Sequence, residues 1–478
     1  MNQEPDVLGK LRAELVEWRQ WRDRALVLAA AVAAGLLVVG FTILTEEALV
    51  LFGALRERAP WAIFVWSPLC VAALVWLTRR WVPGAAGSGI PQVLAALHPA
   101  TPREQRELFV SLRLSVAKVL LSSGGLLAGL SIGREGPSVQ VAAGVMHSVR
   151  HWLSPRSGID ERGLLVAGGA AGIAAAFNTP LGGVLFAIEE LSRNLNQRSS
   201  GLLIASIVLA GLVSVSVFGN LAYFGVVKVP DLDWGLLAPG MIVVVACGLL
   251  GGLFARLLVA SAAGGTDRFS EWRRRHPVRF AAGCAFAVAV IGTASGGQTF
   301  GSGYAETRGL LEGEHQNTPL LYVLLKMGAT WISTWSGIPG GIFAPSLSIG
   351  AGVGSDVAWL LERPELATAL IAMGMTAFLA AVTQTPITSF IIVMEMVEGQ
   401  RMVLSLMAAA LLASLISRQV SRPLYTAMAD LQLLRLKPSQ PGGDATPPGE
   451  PAPPQAGSGA PPEVPGAEAG GGDTTPRR

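Results

Sequence analysis

The chain has 478 residues, of which 51% are hydrophobic and 14% charged, with a net charge of +3. Soluble domains carry about a quarter of their residues as charges, so a water-soluble body of this size is excluded. The balance of +3 points to no polyanionic partner, because nucleic-acid binding needs a concentrated basic face.

Residues 1–24 are charged and compatible with helix. They read as a lead-in whose Arg19, Arg22 and Arg24 flank the first apolar run and place the N-terminus in the cytoplasm by the positive-inside rule. Residues 25–230 form a first membrane half, with charge-free runs at Ala25–Thr45, Pro60–Thr78, Gly163–Ile188 and Ser199–Val227. Residues 231–437 form a second, with runs at Trp234–Ala255, Phe280–Ala305, Met327–Ser355 and Leu366–Met394. Each run approaches or exceeds the roughly 20 residues that a helix needs to cross hydrocarbon. A soluble core hides one or two such segments; this many predict an all-α polytopic membrane protein. Residues 438–478 are rich in Gly and Pro, with Val464 as the only large aliphatic side chain. They cannot bury a core and are expected to be disordered. Cys70, Cys247 and Cys284 lie far apart in apolar sequence without metal or redox spacing, and read as small buried hydrophobes.

Glycine is frequent, at 57 residues, and most of it suits close packing of membrane helices. Clusters of Gly with Pro are different: they break helices, and broken backbone at membrane depth is tolerated only inside protein or along a polar cavity. Three clusters stand out: Gly87-Ser-Gly-Ile-Pro91, Gly133-Arg-Glu-Gly-Pro137 and Gly340-Gly-Ile-Phe-Ala-Pro345. Each opens an apolar helix with bare backbone and a proline suited to the first turn. The free N–H groups and the positive end of the helix dipole then favour an anion without a full positive charge. Such a site releases its ion as readily as it takes it up.

The chain also matches itself. The segment Gly133–Val145 aligns with Gly341–Val353, and at the same offset Lys118 falls on Lys326. Two positions out of that register, Thr179-Pro-Leu181 aligns with Thr385-Pro-Ile387 and Glu189 falls on Glu395. Broken helices in corresponding positions of two halves are the best sequence pointer to a transporter's substrate site. The repeat alone does not say whether the halves are inverted.

The three Gly-Pro clusters resemble, in wording and order, the signature motifs of the CLC chloride channel and transporter family. Arg422-Pro-Leu-Tyr425 resembles that family's late tyrosine, and Asn178–Glu190 its central helix; the likeness runs from about residue 25 to 430. It implies a homodimer with inverted halves, many tilted and broken helices, and one pathway per subunit. It also implies that Ser88 and Tyr425 give hydroxyls to a central chloride, with backbone N–H groups of Ile342 and Phe343 completing that site. Arg134 and Gly136 help form an outer site, and Glu135 is an external gate that vacates it when protonated. Glu190 is an internal proton donor. Chloride is then a bound substrate and no cofactor is expected, and the implied home is a bacterial inner membrane with both termini in the cytoplasm.

Plainer readings stand beside these. Ser88 is also a plausible helix cap, and Tyr425 an interfacial belt residue. Glu189, with its partner Glu395, reads as structural, pairing with a lysine, whereas Glu190 faces Met396 and breaks the symmetry. Lys118 and Lys326 read as packing or field elements, and His147 and His151 as surface groups. Asp356 is given no role. Gln92 departs from the glutamate common in the family and is expected to affect local pairing. On the same resemblance, Ser88 in place of a proline favours chloride over nitrate, and Gly133–Pro137 and Tyr425 argue against the family's fluoride-selective branch. The expected function is chloride/proton exchange, with a passive voltage- or pH-gated chloride channel as the alternative. An intramembrane enzyme would need a nucleophile–base set or metal ligands, and the five histidines and three cysteines form no such spacing.

Overall fold

The computed structural model describes residues 18–154, 158–191, 200–219, 223–224, 234–313, 321–397 and 399–436. Most of the lead-in and the whole Gly/Pro-rich tail lie outside them. The described residues are almost entirely helical, and their only β-type pairing is one isolated bridge.

In the first half, α1 (Trp18–Arg58) and α2 (Ile63–Trp81) are followed by the short α3 (Ile90–Leu97) and α4 (Arg103–Arg106). Next come α5 (Leu112–Leu127), α6 (Glu135–Ser148), α7 (Glu161–Phe177), α8 (Pro180–Phe186) and α9 (Ser200–Phe218). The second half runs α10 (Leu237–Ala263), α11 (Arg268–Arg275), α12 (Pro277–Ala294), α13 (Tyr304–Glu312) and α14 (Leu321–Trp335). It ends with α15 (Phe343–Leu360), α16 (Ala367–Thr383), α17 (Pro386–Met396), α18 (Val403–Val420) and α19 (Leu424–Leu436).

Seven stretches among the described residues are long and apolar enough to cross a membrane, from Gln20–Arg58 to Val403–Val420. The difference from the charge-free runs is informative, since four of those runs span two helices; Phe280–Ala305 leaves α12 at Ala294 and enters α13 at Tyr304. Gly163–Ile188 breaks at Asn178 between α7 and α8, Leu366–Met394 breaks at Gln384 between α16 and α17, and Met327–Ser355 breaks between α14 and α15. Asn178 and Gln384 are repeat counterparts, and both take the left-handed conformation, at φ 58° and 60°. A left-handed residue ends a helix and turns the chain, and the Thr-Pro that follows starts the next one.

Reciprocal contacts relate the halves. Gly133 N–H donates to Gly341 O and Gly341 N–H to Gly133 O, both at 2.7 Å, in an antiparallel bridge. The two glycines are repeat counterparts, so a local two-fold axis passes between them, as in any isologous contact. α6 and α15 follow this bridge on chains running in opposite directions, and therefore leave it in opposite directions. That is inversion. The axis returns at α8 and α17: Glu189 accepts from the N–H groups of Ile387 (3.1 Å) and Thr388 (2.6 Å), while Glu395 accepts from those of Leu181 (3.1 Å) and Gly182 (2.7 Å). The carboxylate pair is structural as expected, but its partners are helix N-termini and not lysines. A carboxylate there satisfies orphan donors and opposes the positive dipole end.

One expectation is overturned. His147 is buried, at 1% exposure, and its Nε2 lies 2.6 Å from Glu161 Oε1, while Arg106 reaches the other Glu161 oxygen at 2.7 Å. The end of α6 is tucked under the start of α7, and that packing puts the imidazole inside a charged cluster. His151 is exposed, as expected. Cys247 and Cys284 are buried and Cys70 is partly so.

Candidate functional site

Three helix N-termini meet beside the Gly133–Gly341 bridge. α6 and α15 start just beyond it, and Gly340 N–H donates to Gly87 O at 3.2 Å, joining the loop before α3 to the loop before α15. The approach is close enough to require glycine. A Cβ on Gly341 would lie 3.0 Å from Gly136 N and 3.1 Å from Pro137 Cδ, and one on Gly136 would run into the Ser88 hydroxyl. Backbone N–H groups of the first helical turns have no intrahelical partner, so the junction gathers donors and positive dipole ends in one place.

The Glu135 carboxylate lies against those donors. Glu135 is 1% exposed, and its Oε2 accepts from the N–H of Ala344, in the first turn of α15, at 3.4 Å. Gly133 leaves it room, since a Cβ there would overlap Oε2. The carboxylate of the first half thus occupies a donor of the second. Ile342 caps α15 and Phe343 begins it, in the same turn as Ala344.

Two buried hydroxyls sit beside this junction. Ser88 and Tyr425 are 8% and 1% exposed, and among the described residues neither hydroxyl has a hydrogen-bond partner of normal geometry. Glu190, Glu135 and Ser88 are the polar side chains that act on the Tyr425 hydroxyl. The Tyr425 ring stacks on Phe343, with centroids 6.1 Å apart and planes at 9°, and Phe343 also meets Phe177 and Phe186. An unpaired buried hydroxyl costs about 1–3 kcal/mol, and two of them beside three helix N-termini suit a small anion that accepts from both. Ser88 does not cap α3: the N-cap is Gly89, whose N–H donates to Gln92 Oε1 at 2.9 Å, while Gln92 Nε2 donates to Ala86 O.

Glu190 lies in a π turn, Ala187–Leu191, that interrupts the helix after α8; its counterpart Met396 ends α17 with no such turn. π-bulges of this kind are frequent at functional sites. The side chain of Arg134 leaves the junction. Its guanidinium turns toward α1, donating to Glu46 Oε1 (3.0 Å), Thr45 Oγ1 (3.2 Å) and the Tyr223 hydroxyl (3.2 Å). Only its backbone, with that of Gly136, remains at the junction. The side chain instead lines a cavity of about 390 Å³ with Glu46, Asn178, Tyr223, Tyr304 and Arg308.

The structure thus gathers Ser88, Glu135, Gly136, Ile342, Phe343 and Tyr425, brings Glu190 within electrostatic reach of Tyr425, and turns the Arg134 side chain away. Sequence reasoning missed Ala344 as a donor and Glu46 as the partner of Arg134. Ala344 had a signal, because it lies in the same motif as Ile342 and Phe343; Glu46 had none, because its role depends on how α1 crosses α6. Among the described residues no cluster of His, Cys, Asp or Glu suits a metal ion.

Comparisons with known proteins agree with this fold. The voltage-gated chloride channel family model matches residues 69–418. The H(+)/Cl(−) exchange transporter ClcA of Citrobacter koseri is 30% identical over 449 residues, spanning 87% of this chain and 91% of the relative. ClcA of Cronobacter sakazakii is also 30% identical, spanning 88% and 93%. Among solved structures, a slow cyanobacterial Cl−/H+ antiporter superposes with a TM-score of 0.71 at 24% identity, covering 87% of this chain and 99% of that one. A CLC-type fluoride/proton antiporter gives 0.69 at 22% identity, covering 84% and 96%. Inverted halves, broken helices meeting at one junction and a family match over most of the chain lead to one conclusion: this membrane protein belongs to the voltage-gated chloride channel family.

Proposed function

We propose that the chain is a secondary active transporter that exchanges chloride for protons. One observation carries the reading: the Glu135 carboxylate rests on a helix N-terminal donor of the kind that holds an anion. Anion and carboxylate compete for that donor. Protonation removes the charge of the carboxylate and releases it, so movement of the anion is tied to movement of a proton. Ser88 and Tyr425 hold chloride through their hydroxyls, together with backbone donors of Ile342 and Phe343, while Arg134 and Gly136 contribute backbone to the outer position. Glu190 supplies protons from the opposite side. The names borne by its relatives, which describe H(+)/Cl(−) exchange, support the same assignment.

A passive chloride channel on this fold is the second reading. The π turn that carries Glu190 toward Tyr425 favours exchange, since a channel has no need of a second buried-side carboxylate. Family likeness adds a homodimer with one pathway per subunit, a bacterial inner membrane and cytoplasmic termini. The division into halves at residues 230 and 231 belongs to the same proposal. The function needs no cofactor and no enzymatic step.

The test is flux in proteoliposomes. A chloride gradient should drive protons uphill, and Glu190→Gln should abolish proton movement while sparing chloride. Unimpaired proton flux in that variant removes Glu190 from the mechanism, and a reversal potential that ignores pH in the wild type replaces the exchanger with the channel.

A further inference from the structure

The loops before α3 and α13 are structural copies. Gly87-Ser88-Gly89 precedes α3 and Gly301-Ser302-Gly303 precedes α13. All four glycines have positive φ, at 78° and 113° in the first loop and 64° and 85° in the second. A fully buried lysine serves each loop. Lys118 Nζ donates to Ala85 O (2.8 Å) and Gly87 O (2.6 Å); Lys326 Nζ donates to Thr299 O (3.1 Å) and Gly301 O (2.9 Å).

The copies differ in charge. Three residues past the second glycine, the second half has Glu306, whose carboxylate acts on Lys326. The equivalent residue of the first half is Gln92, and among the described residues no carboxylate acts on Lys118. The Gln92 side chain holds its place by neutral chemistry: its oxygen accepts from Gly89 N–H and its amide nitrogen donates to Ala86 O. A glutamate could make the first bond but not the second.

Only the first loop borders the candidate anion site, through Ser88. Gly87 O accepts both the Lys118 ammonium and Gly340 N–H, and a cation on a carbonyl oxygen polarises the peptide and strengthens the N–H on its far side. That N–H belongs to Ser88. We propose that residue 92 sets the charge at the Ser88 anion site: Gln92 leaves Lys118 without a balancing carboxylate, so that its positive charge serves the anion, whereas Glu306 neutralises the equivalent lysine where no anion is held. Gln92 is a positioning residue, acting through Lys118 and the Gly87–Ser88 peptide. The inference rests on the reading of Ser88 and Tyr425 as the anion site.

The test is the chloride dissociation constant of the full-length purified protein in detergent, measured by calorimetry. At an effective dielectric near 20, a unit charge within about 10 Å of an anion shifts affinity by roughly tenfold or more. Gln92→Glu should weaken binding by that factor, while the neutral Gln92→Met and the mirror change Glu306→Gln should stay within about threefold of wild type. Lys118→Met should weaken binding as Gln92→Glu does, and it carries the test if Gln92→Glu does not fold. Wild-type affinity in either folded charge variant overturns the proposal. So does equal weakening by Gln92→Met, which would assign the effect to the cap rather than the charge. If wild type and Ser88→Ala bind chloride alike, the site reading itself is wrong, and that failure is distinct from the other two.

Discussion

The two halves share a backbone plan and differ where chemistry is needed. Paired positions with structural duties are the same on both sides: Gly133 and Gly341 bridge each other, and Glu189 and Glu395 cap each other's helices. Paired positions at the junction are not. Glu135 stands opposite Phe343, Gly136 opposite Ala344 and Glu190 opposite Met396. One half presents titratable groups and bare backbone, while the other presents an aromatic ring and helix donors to receive them. A two-fold scaffold brings the helix ends together, and departures from the two-fold make the two sides of that meeting point chemically different.

The largest effect should come from breaking the first of these departures. Glu135→Ala removes the carboxylate that contests the Ala344 donor. Chloride flux in proteoliposomes should persist, and the proton movement driven by a chloride gradient should vanish at every pH tested. Retained coupling would mean that the asymmetry at this pair is not the gate.

The second departure is steric. Ala344 tolerates its methyl group, but a methyl on Gly136 would land on the Ser88 hydroxyl. Gly136→Ala should weaken chloride binding by roughly fivefold or more in calorimetry, with the protein still monodisperse, because overpacking of this kind costs about 1–3 kcal/mol. Ala344→Gly, its mirror, should leave affinity nearly unchanged. Equal effects from the two variants would erase the distinction drawn between the halves.

The symmetric pair gives the converse test. Glu189→Gln and Glu395→Gln each replace a charged acceptor for two helix N-terminal N–H groups by a neutral one. Hydrogen bonds to charged groups are worth about 1.5–3 kcal/mol, against about 1 for neutral ones. Each variant should therefore lose about 1–2 kcal/mol of stability, by closely similar amounts, while coupling is retained. A loss of proton coupling in Glu189→Gln alone would make Glu189, and not only its neighbour, part of the proton route.

Much of this plan is legible before any coordinates. The Gly-Pro clusters, the register between Gly133 and Gly341 and the mismatch of Glu190 with Met396 all lie in the sequence. What stays hidden depends on partners far along the chain. Nothing near Glu189 says that its carboxylate will reach Thr388, and charge patterning alone suggests a lysine. His147 reads as a surface group because it ends an apolar helix; it is buried because Glu161 comes from another element to meet it, with Arg106 held on the other carboxylate oxygen. The second Gly-Ser-Gly loop was within reach, but it sits six residues out of the register that relates Lys118 to Lys326. A single fixed offset passes over it.

The smallest expected effect lies where the two-fold ends. α11 has no counterpart in the first half, where α1 and α2 are joined by a short 3₁₀ turn at Pro60–Ala62. Asp267 caps α11, accepting from the Ser270 hydroxyl at 2.7 Å and from the Ser270 N–H at 3.2 Å. Those bonds, the hydroxyl first, hold its carboxyl below the usual carboxylate range. A depressed value means that the cap contributes fully above the unfolded-state pKa and fades as pH falls through the folded-state one. Amide exchange in residues 268–275 should therefore quicken in acid relative to the neighbouring α12, and Asp267→Ala should produce the same quickening at neutral pH. Chloride and proton fluxes should be unchanged in that variant, since α11 stands outside the repeated frame that forms the junction. An altered ratio of chloride to protons would tie this helix to the transport path and extend the functional asymmetry beyond the site.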